Sequence, residues 1–239
     1  MTTQTKKLNI KIFADGAEKE KMLAAAKNPL VAGFTTNPTL MKKGGVTDYK
    51  KFALEILDAI KDKSLSFEVF ADEFDEMETQ AKEIASWGDN VYIKIPITNT
   101  KGESSLPLVK KLSDAGVKLN VTAIFTLKQV ENTVKALENS NGAYVSVFAG
   151  RIADAGIDPV PMMAEALEIL SVNPKLELLW ASVREVFNII QADQIGCHIV
   201  TVPDSLIKKL SNVGKDLDEF SLDTVKMFYK DATSAGFSI

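Results

Sequence analysis

Short β-rich runs alternate with helical segments along the whole chain, and this alternation limits the fold more than any other feature. The segments between the runs carry apolar residues at helical spacing, as in residues 49–60 and 130–137. Strands that alternate with helices form parallel sheets. The β-rich runs are residues 8–14, 31–36, 65–71, 91–97, 117–125, 143–149, 176–182 and 197–202.

Eight such runs within 239 residues predict a closed (β/α)8 barrel, a TIM barrel, with residues 1–239 as one domain. The rival arrangement is an open doubly wound sheet, which usually has a glycine-rich turn after its first strand. Here that turn reads Asp15-Gly16-Ala17, and the chain contains no GxGxxG pattern, so we expect the barrel. Residues 204–239 form a helical tail. Its amphipathic stretch, 221–231, either closes the barrel base or docks on a neighbouring subunit.

Composition narrows the classes of function. Lys and Arg number 28 against 32 Asp and Glu, and a net charge of −4 argues against a nucleic-acid partner. The single cysteine, Cys197, excludes an internal disulfide and a site of several cysteines. Cys197 and His198 are adjacent and point to opposite faces of a strand, so we expect both to be structural. No uninterrupted apolar run reaches membrane-spanning length, and residues 1–7 are polar and lack the apolar core of a signal peptide. We therefore expect a soluble, cytoplasmic protein without a membrane partner.

The fourth run places a lysine inside an apolar strand. Residues 91–97 read VYIKIPI, so Lys94 lies on the face opposite Ile93 and Ile95, with no charged neighbour in the run. Burying an ammonium is costly, and a buried lysine therefore tends toward the neutral amine that a Schiff-base nucleophile needs. The structural alternative is a lysine at a strand end whose stem reaches water.

The runs on either side of Lys94 carry polar residues on matching faces. Glu68 lies opposite Phe67 in the third run, and Asn120 and Thr122 share one face of the fifth. If these faces point into the barrel, a carboxylate, an amine, an amide and a hydroxyl converge. Unpaired polar groups are expensive to bury, so these groups need each other or a ligand. The three runs together predict a candidate active site.

Further candidates stand at strand ends, where a closed barrel builds its active site. Asp15 ends the first strand and Asn37 the second, with a helix cap and simple turn chemistry as the structural alternatives. Hydroxyls and arginines around the sixth and seventh strands suit a phosphate. Either arginine alone would more commonly be a surface residue. These four residues are Ser146, Arg151, Ser182 and Arg184.

These motifs resemble those of the transaldolases and their relatives, the fructose-6-phosphate aldolases. The resemblance follows the strand order over nearly the whole chain. Its most specific segments are GFTTNPT at 33–39, VYIKIP at 91–96 and ASVR at 181–184. It implies a (β/α)8 barrel in which Lys94 is the Schiff-base lysine. Asp15 is then the acid/base carboxylate of carbon–carbon cleavage, and Glu68 and Thr122 position a catalytic water.

The resemblance also implies the substrate contacts and the branch of the family. The aldolase branch typically carries Gln at the position of Glu68 and Tyr at that of Phe148. A tyrosine hydroxyl near the water favours release of dihydroxyacetone, whereas Phe148 lacks that donor and favours transfer to a second aldehyde. By the same resemblance, substrate hydroxyls are held at Asn37, Asn120 and Ser146. The phosphate-binding positions are Arg151, Ser182 and Arg184.

From this resemblance we expect a transaldolase that moves a dihydroxyacetone unit between sugar phosphates, without cofactor or metal. The donor would be fructose 6-phosphate or sedoheptulose 7-phosphate, and the acceptor erythrose 4-phosphate or glyceraldehyde 3-phosphate, in the pentose phosphate pathway. We expect a homo-oligomer. Two alternatives stay open: a fructose-6-phosphate aldolase, which is a lyase, and a barrel that binds sugar phosphates without catalysis.

Overall fold

The computed structural model describes residues 8–239, which form a closed barrel of parallel strands followed by a helical tail. The strands pair in chain order, and β8 pairs with β1 to close the barrel. The (β/α)8 prediction is therefore confirmed. The strands are β1 Lys11–Asp15, β2 Val31–Thr35, β3 Ser64–Glu68, β4 Val91–Pro96, β5 Leu119–Ile124, β6 Ala143–Val147, β7 Leu176–Trp180 and β8 Ile199–Pro203.

Helices connect the strands, and several of them begin at a side chain that caps the first turn. Asp48 accepts a hydrogen bond from the Lys51 N–H at the start of α3, and Asp158 caps α8 in the same way. The helices are α1 Lys19–Ala26, α2 Pro38–Lys43, α3 Tyr49–Ala59, α4 Phe74–Ala85, α5 Leu106–Asp114, α6 Leu127–Ala136, α7 Ala149–Asp154, α8 Pro159–Leu170, α9 Val186–Gln194, α10 Asp204–Ile207, a 3-10 helix at Lys208–Asn212 and α11 Leu217–Ser234.

Strand β4 shows how the sequence separates the two faces of the barrel wall. Val91, Ile93 and Ile95 are buried in the main hydrophobic core, which lies between the strands and the helices. Tyr92 and Lys94, on the other face, point into the barrel, as the alternation predicts. The predicted third, sixth and seventh strands run two or three residues too far, because their apolar residues continue into the loops at the barrel mouth.

Aromatic and aliphatic side chains fill the barrel interior near its base. The rings of Tyr92 and Tyr144 stack with centroids 4.1 Å apart, and Phe13 meets Tyr144 edge-on at 5.5 Å. Gly33 leaves room for this layer, because a Cβ at that position would lie 2.8 Å from the Phe13 ring and 2.6 Å from Ser64 Oγ. Leu179 and Ile199 complete the layer.

The tail helix α11 does not close the barrel base, which was one of its two predicted roles. None of its residues is buried, and Leu217, Phe228 and Tyr229 are exposed by 79%, 63% and 75%. These three side chains are thus left largely uncovered within residues 8–239. None of the helices in that range combines the length and apolar character of a membrane-spanning segment.

Candidate active site

Lys94 lies at the centre of a polar layer at the carboxyl-terminal end of the barrel. Its side chain is almost fully buried, and its Nζ lies 2.8 Å from the Thr36 carbonyl oxygen and 3.0 Å from Glu68 Oε2. The sequence indicated no charge beside Lys94, but this holds only along its own strand. Glu68 and Lys94 are register partners on β3 and β4, so the neighbouring strand supplies the charge.

The ion pair explains how a lysine is tolerated at this depth. Attraction to the Glu68 carboxylate offsets part of the cost of burying the ammonium. The same carboxylate is close enough to accept a proton from Nζ, which would leave the amine neutral and nucleophilic. Tyr49 supports the arrangement from behind, because its hydroxyl donates to the Glu68 backbone carbonyl at 2.8 Å.

Asp15 ends β1 with its side chain turned into the barrel. Its Oδ1 accepts a hydrogen bond of 2.7 Å from the Thr35 hydroxyl, and Thr35 in turn shares a hydrogen bond with Thr201. Burial raises the pKa of the Asp15 carboxyl, while the charge of Lys94 and the Thr35 hydroxyl act in the opposite direction. Asp15 caps no helix, since α1 begins four residues later. The helix-cap alternative is therefore wrong.

Two hydrogen bonds hold Asn120 inside the barrel. It is fully buried, with its Nδ2 donating to Ser66 Oγ at 3.1 Å and its Oδ1 accepting from Ser146 Oγ at 2.6 Å. These two bonds fix the orientation of both the amide and the Ser146 hydroxyl. Thr122 is different: its Oγ1 is buried and has no hydrogen-bond partner among residues 8–239.

A cavity of about 100 Å³ opens among these residues at the barrel mouth. Eight of the eleven residues predicted for the site line it, namely Asp15, Asn37, Lys94, Thr122, Ser146, Phe148, Arg151 and Ser182. Asn37 also caps α2, since its Oδ1 accepts from the Leu40 N–H at 2.9 Å. The predicted residues that do not line the cavity are Glu68, Asn120 and Arg184.

Arg151 and Arg184 were predicted to share a phosphate, and the structure separates them. The Arg151 guanidinium lies over the Phe148 ring, 5.5 Å from its centroid, on the cavity wall. Arg184 instead forms a bidentate ion pair with Asp154, with Nε at 2.9 Å and 3.1 Å from the two carboxylate oxygens. This pairing holds the pKa of Asp154 below its usual range. Arg184 is therefore turned away from the cavity.

Close packing of two mouth loops places Ser182 next to the start of α7. A Cβ on Gly150 would lie 1.6 Å from the Ser182 carbonyl oxygen, so only glycine fits there. Ser182 itself has a φ of 66°, in the left-handed region that non-glycine residues rarely adopt. Such strain clusters at functional sites.

Thr35, Thr201 and Ser66 belong to the polar layer, and the sequence analysis missed them. All three are buried on inward-facing strand positions. The available clue was a hydroxyl at the strand position that alternation assigns to the interior. Cys197, as expected, takes no part, because it is buried on the far face of the wall, where burial raises the pKa of its thiol to about 12.

A closed parallel barrel with a buried lysine–carboxylate pair facing a cavity at its carboxyl-terminal end has the architecture of a (β/α)8 enzyme. Comparison with known proteins defines the family. The family model described as "Transaldolase/Fructose-6-phosphate aldolase" matches residues 12–239, and the chain belongs to that family. It is accordingly an enzyme of the aldolase and transaldolase class.

Individual relatives agree with this assignment. A protein of Dehalococcoides mccartyi named "Probable transaldolase" is 35% identical over 202 residues, which cover 84% of this chain and 90% of the relative. One from Streptococcus equi subsp. zooepidemicus with the same name is 36% identical over 203 residues, with the same coverage. Among solved structures, dihydrodipicolinate synthase from Rhodopseudomonas palustris superposes with a TM-score of 0.57 at 12% identity, covering 93% of this chain and 79% of its own. That likeness concerns the fold alone.

Proposed function

We propose that this protein is a transaldolase that moves a dihydroxyacetone unit between sugar phosphates through a Schiff base on Lys94. One observation carries the proposal: Lys94 Nζ is buried 3.0 Å from Glu68 Oε2, beside a cavity at the barrel mouth. The family and the names of the relatives support the class of reaction. The proposed donors are fructose 6-phosphate or sedoheptulose 7-phosphate. The acceptors are erythrose 4-phosphate or glyceraldehyde 3-phosphate, in the cytoplasmic pentose phosphate pathway.

The first step is formation of the imine. Lys94 passes a proton to Glu68, and its neutral amine adds to the carbonyl carbon of the ketose. Loss of the carbonyl oxygen as water then gives the iminium. The Thr122 hydroxyl, buried on the cavity wall without a partner within the described chain, is available to hold that water together with Glu68.

The second step is cleavage of the carbon–carbon bond. Asp15 accepts the proton of the substrate hydroxyl, the C3–C4 bond breaks, and its electron pair moves into the iminium to give an enamine on Lys94. An aldose phosphate leaves. Reversal of the step on a second aldose phosphate, with Asp15 returning the proton, completes the transfer. Asn37 and Ser146 line the same cavity and are proposed to hold substrate hydroxyls, with Asn120 orienting Ser146.

The fate of the enamine separates a transferase from a lyase. A lyase protonates the enamine and hydrolyses the imine, which needs a proton donor near the bound water. Phe148 lines the cavity and carries no such donor. We therefore favour transfer, while the family model names both activities.

We further propose that the chain forms a homo-oligomer through α11. Apolar side chains on this helix, including Phe228 and Val225, are exposed by 63% and 59%. A second copy would cover them. Sedimentation of the full chain beside a Phe228→Asp variant tests this, since a monomeric wild type contradicts it.

The decisive experiment measures release of glyceraldehyde 3-phosphate from fructose 6-phosphate, with and without erythrose 4-phosphate, by a coupled reductase. Release that depends on the acceptor supports a transaldolase. Equal release without the acceptor identifies a fructose-6-phosphate aldolase and overturns the interpretation of Phe148. Borohydride trapping with fructose 6-phosphate tests the third alternative, because a barrel that only binds sugar phosphates would leave Lys94 unmodified.

A further inference from the structure

Three side chains on adjacent strands form a chain of hydrogen bonds that ends at Asp15. Thr201 on β8 and Thr35 on β2 flank Asp15 on β1, and all three side chains face the barrel interior. Thr35 Oγ1 lies 2.7 Å from Asp15 Oδ1, and the hydroxyls of Thr35 and Thr201 are hydrogen-bonded to each other. Both threonines are 5% exposed or less.

The chemistry of the groups fixes the direction of this chain. A carboxylate oxygen only accepts, so the single proton of the Thr35 hydroxyl is given to Asp15. The hydrogen bond between the two threonines then requires Thr201 to be the donor. Each hydroxyl polarises the next, which strengthens the bond that reaches the carboxylate.

We propose that Thr201 is a positioning residue that acts on Asp15 through Thr35. Thr201 locks the Thr35 hydroxyl as a donor to Oδ1, so that the proton exchanged with the substrate is carried on Oδ2. Oδ2 accepts no hydrogen bond from the protein within residues 8–239, and Asp15 lines the cavity. This inference rests on the proposed role of Asp15 in carbon–carbon cleavage.

The charged groups around Asp15 do not replace the hydrogen bond from Thr35, so this bond has its own effect on the pKa of Asp15. Lys94 and Glu68 face Asp15 across the barrel and act on it in opposite directions. A second cavity beside Asp15 is lined by charged groups on α1, α2 and α10 and by Glu18, which precedes α1; those on the helices are Lys21, Lys43 and Asp204. None of them touches Oδ1. Burial raises the pKa of Asp15, and the Thr35 hydrogen bond opposes that rise. Removal of the Thr201 hydroxyl weakens the hydrogen bond from Thr35 to Asp15 and should therefore raise the pKa of Asp15 further.

The test compares Thr201→Val, which keeps the shape and removes the hydroxyl, with Thr201→Ser, which keeps the hydroxyl. Removing one buried hydrogen bond predicts that kcat falls about three- to tenfold in Thr201→Val. KM for fructose 6-phosphate should stay unchanged, and the acidic limb of the pH–rate profile should move to higher pH. Thr201→Ser should behave like the wild type, and borohydride trapping of Lys94 should persist in both variants.

Two results would overturn the inference. One is a Thr201→Val variant with the wild-type pH profile and kcat. The other is an equal loss in Thr201→Ser, which would assign the effect to packing of the methyl group. Failure of the proposed function looks different, because the wild type itself would then not transfer to erythrose 4-phosphate. An aldolase would still trap Lys94, and a barrel that only binds sugar phosphates would not. Thermal unfolding of both variants separates a loss of stability from a change in the acidic limb.

Discussion

The barrel interior has two layers built from the same strands, and they are chemically opposite. The base layer is apolar and aromatic, whereas the mouth layer is made of charged groups, amides and hydroxyls. Residues of the two layers are two positions apart, about 6.6 Å along each strand. The pairs are Phe13 and Asp15, Tyr92 and Lys94, Tyr144 and Ser146, and Ile199 and Thr201. One step of strand alternation thus separates the residues that fill the barrel from those of the candidate site. Substitutions in the base layer should lower stability, and substitutions in the mouth layer should lower activity.

The largest effect is expected at the centre of the mouth layer. Lys94→Met removes the only group proposed to bond covalently to the substrate, so kcat should fall by at least about a thousandfold. The fold should persist, because methionine fills a volume similar to that of lysine at this buried position. Coupled assays measure the fall in kcat, and circular dichroism measures whether the fold persists. Wild-type turnover in Lys94→Met would remove the Schiff base from the mechanism.

The opposite pattern is expected in the base layer. Tyr144→Ala removes a ring that contacts Phe13 and Tyr92, and deletion of a buried aromatic side chain costs about 3–5 kcal/mol of unfolding free energy. The kcat of the folded fraction should stay within about twofold of the wild type. Urea unfolding and active-site titration by borohydride trapping measure these quantities.

Tyr144→Phe is the matched control, because it keeps the ring and removes only the hydroxyl. It should lose far less stability than Tyr144→Ala. If kcat fell in Tyr144→Phe as much as in a variant of the mouth layer, the two layers would not have separate effects on stability and activity.

Alternation predicted most of this division from the sequence. The pattern around Glu68, Lys94 and Thr122 assigned each side chain to the correct face, because a period of two leaves no other choice once the outer face is apolar. It did not identify the partners. The pairing of Thr35 with Thr201 joins the second strand to the eighth, and that contact exists only when the barrel closes.

The arginines show the second limit of sequence reasoning. Arg151 and Arg184 both follow barrel strands, and their positions alone gave them the same role. Arg184 is diverted by Asp154, thirty residues earlier in the chain, which α7 brings within hydrogen-bonding distance. A long, flexible side chain takes the nearest strong partner, and that partner is known only from the folded loops.

The two arginines provide the third prediction, which concerns the rim of the mouth layer. Arg151→Ala should raise KM for fructose 6-phosphate about tenfold or more, since charged hydrogen bonds contribute about 1.5–3 kcal/mol. Arg184→Ala should raise it less than about threefold, because Arg184 is held by Asp154. Steady-state kinetics with phosphorylated and unphosphorylated donors measures the difference.

Asp154→Ala is the control, since it releases Arg184 from its ion pair. A lower KM in this variant would show that Arg184 binds phosphate once it is free. Equal increases of KM in Arg151→Ala and Arg184→Ala would mean that the ion pair opens when substrate binds, and the distinction between the two arginines would fail.

The smallest effect is expected at His198, below the base layer. The separation of the two layers predicts that a substitution there changes stability and leaves activity unchanged. His198 Nδ1 accepts a hydrogen bond of 3.0 Å from the Leu178 N–H, so protonation of Nδ1 would break that bond. Burial lowers the pKa of His198 from its usual 6.5, with Glu177 opposing and Lys11 assisting. The unfolded chain therefore binds the proton more readily. The resulting stability is fully present above pH 6.5 and is lost as the pH falls through the lowered pKa.

His198→Asn isolates this contribution, because the asparagine Oδ1 can accept from the Leu178 N–H but cannot be protonated. Urea unfolding between pH 5 and 8 should show a smaller loss of stability on acidification in the variant, by less than about 1 kcal/mol. Turnover per folded molecule should be the same in both proteins at each pH, because His198 lies on the side of the barrel opposite the cavity. If the free energy of unfolding fell equally with pH in the wild type and in His198→Asn, the loss of stability in acid would be assigned to the carboxylates instead. A variant with an altered kcat would couple the two ends of the barrel and contradict the separation of the two layers.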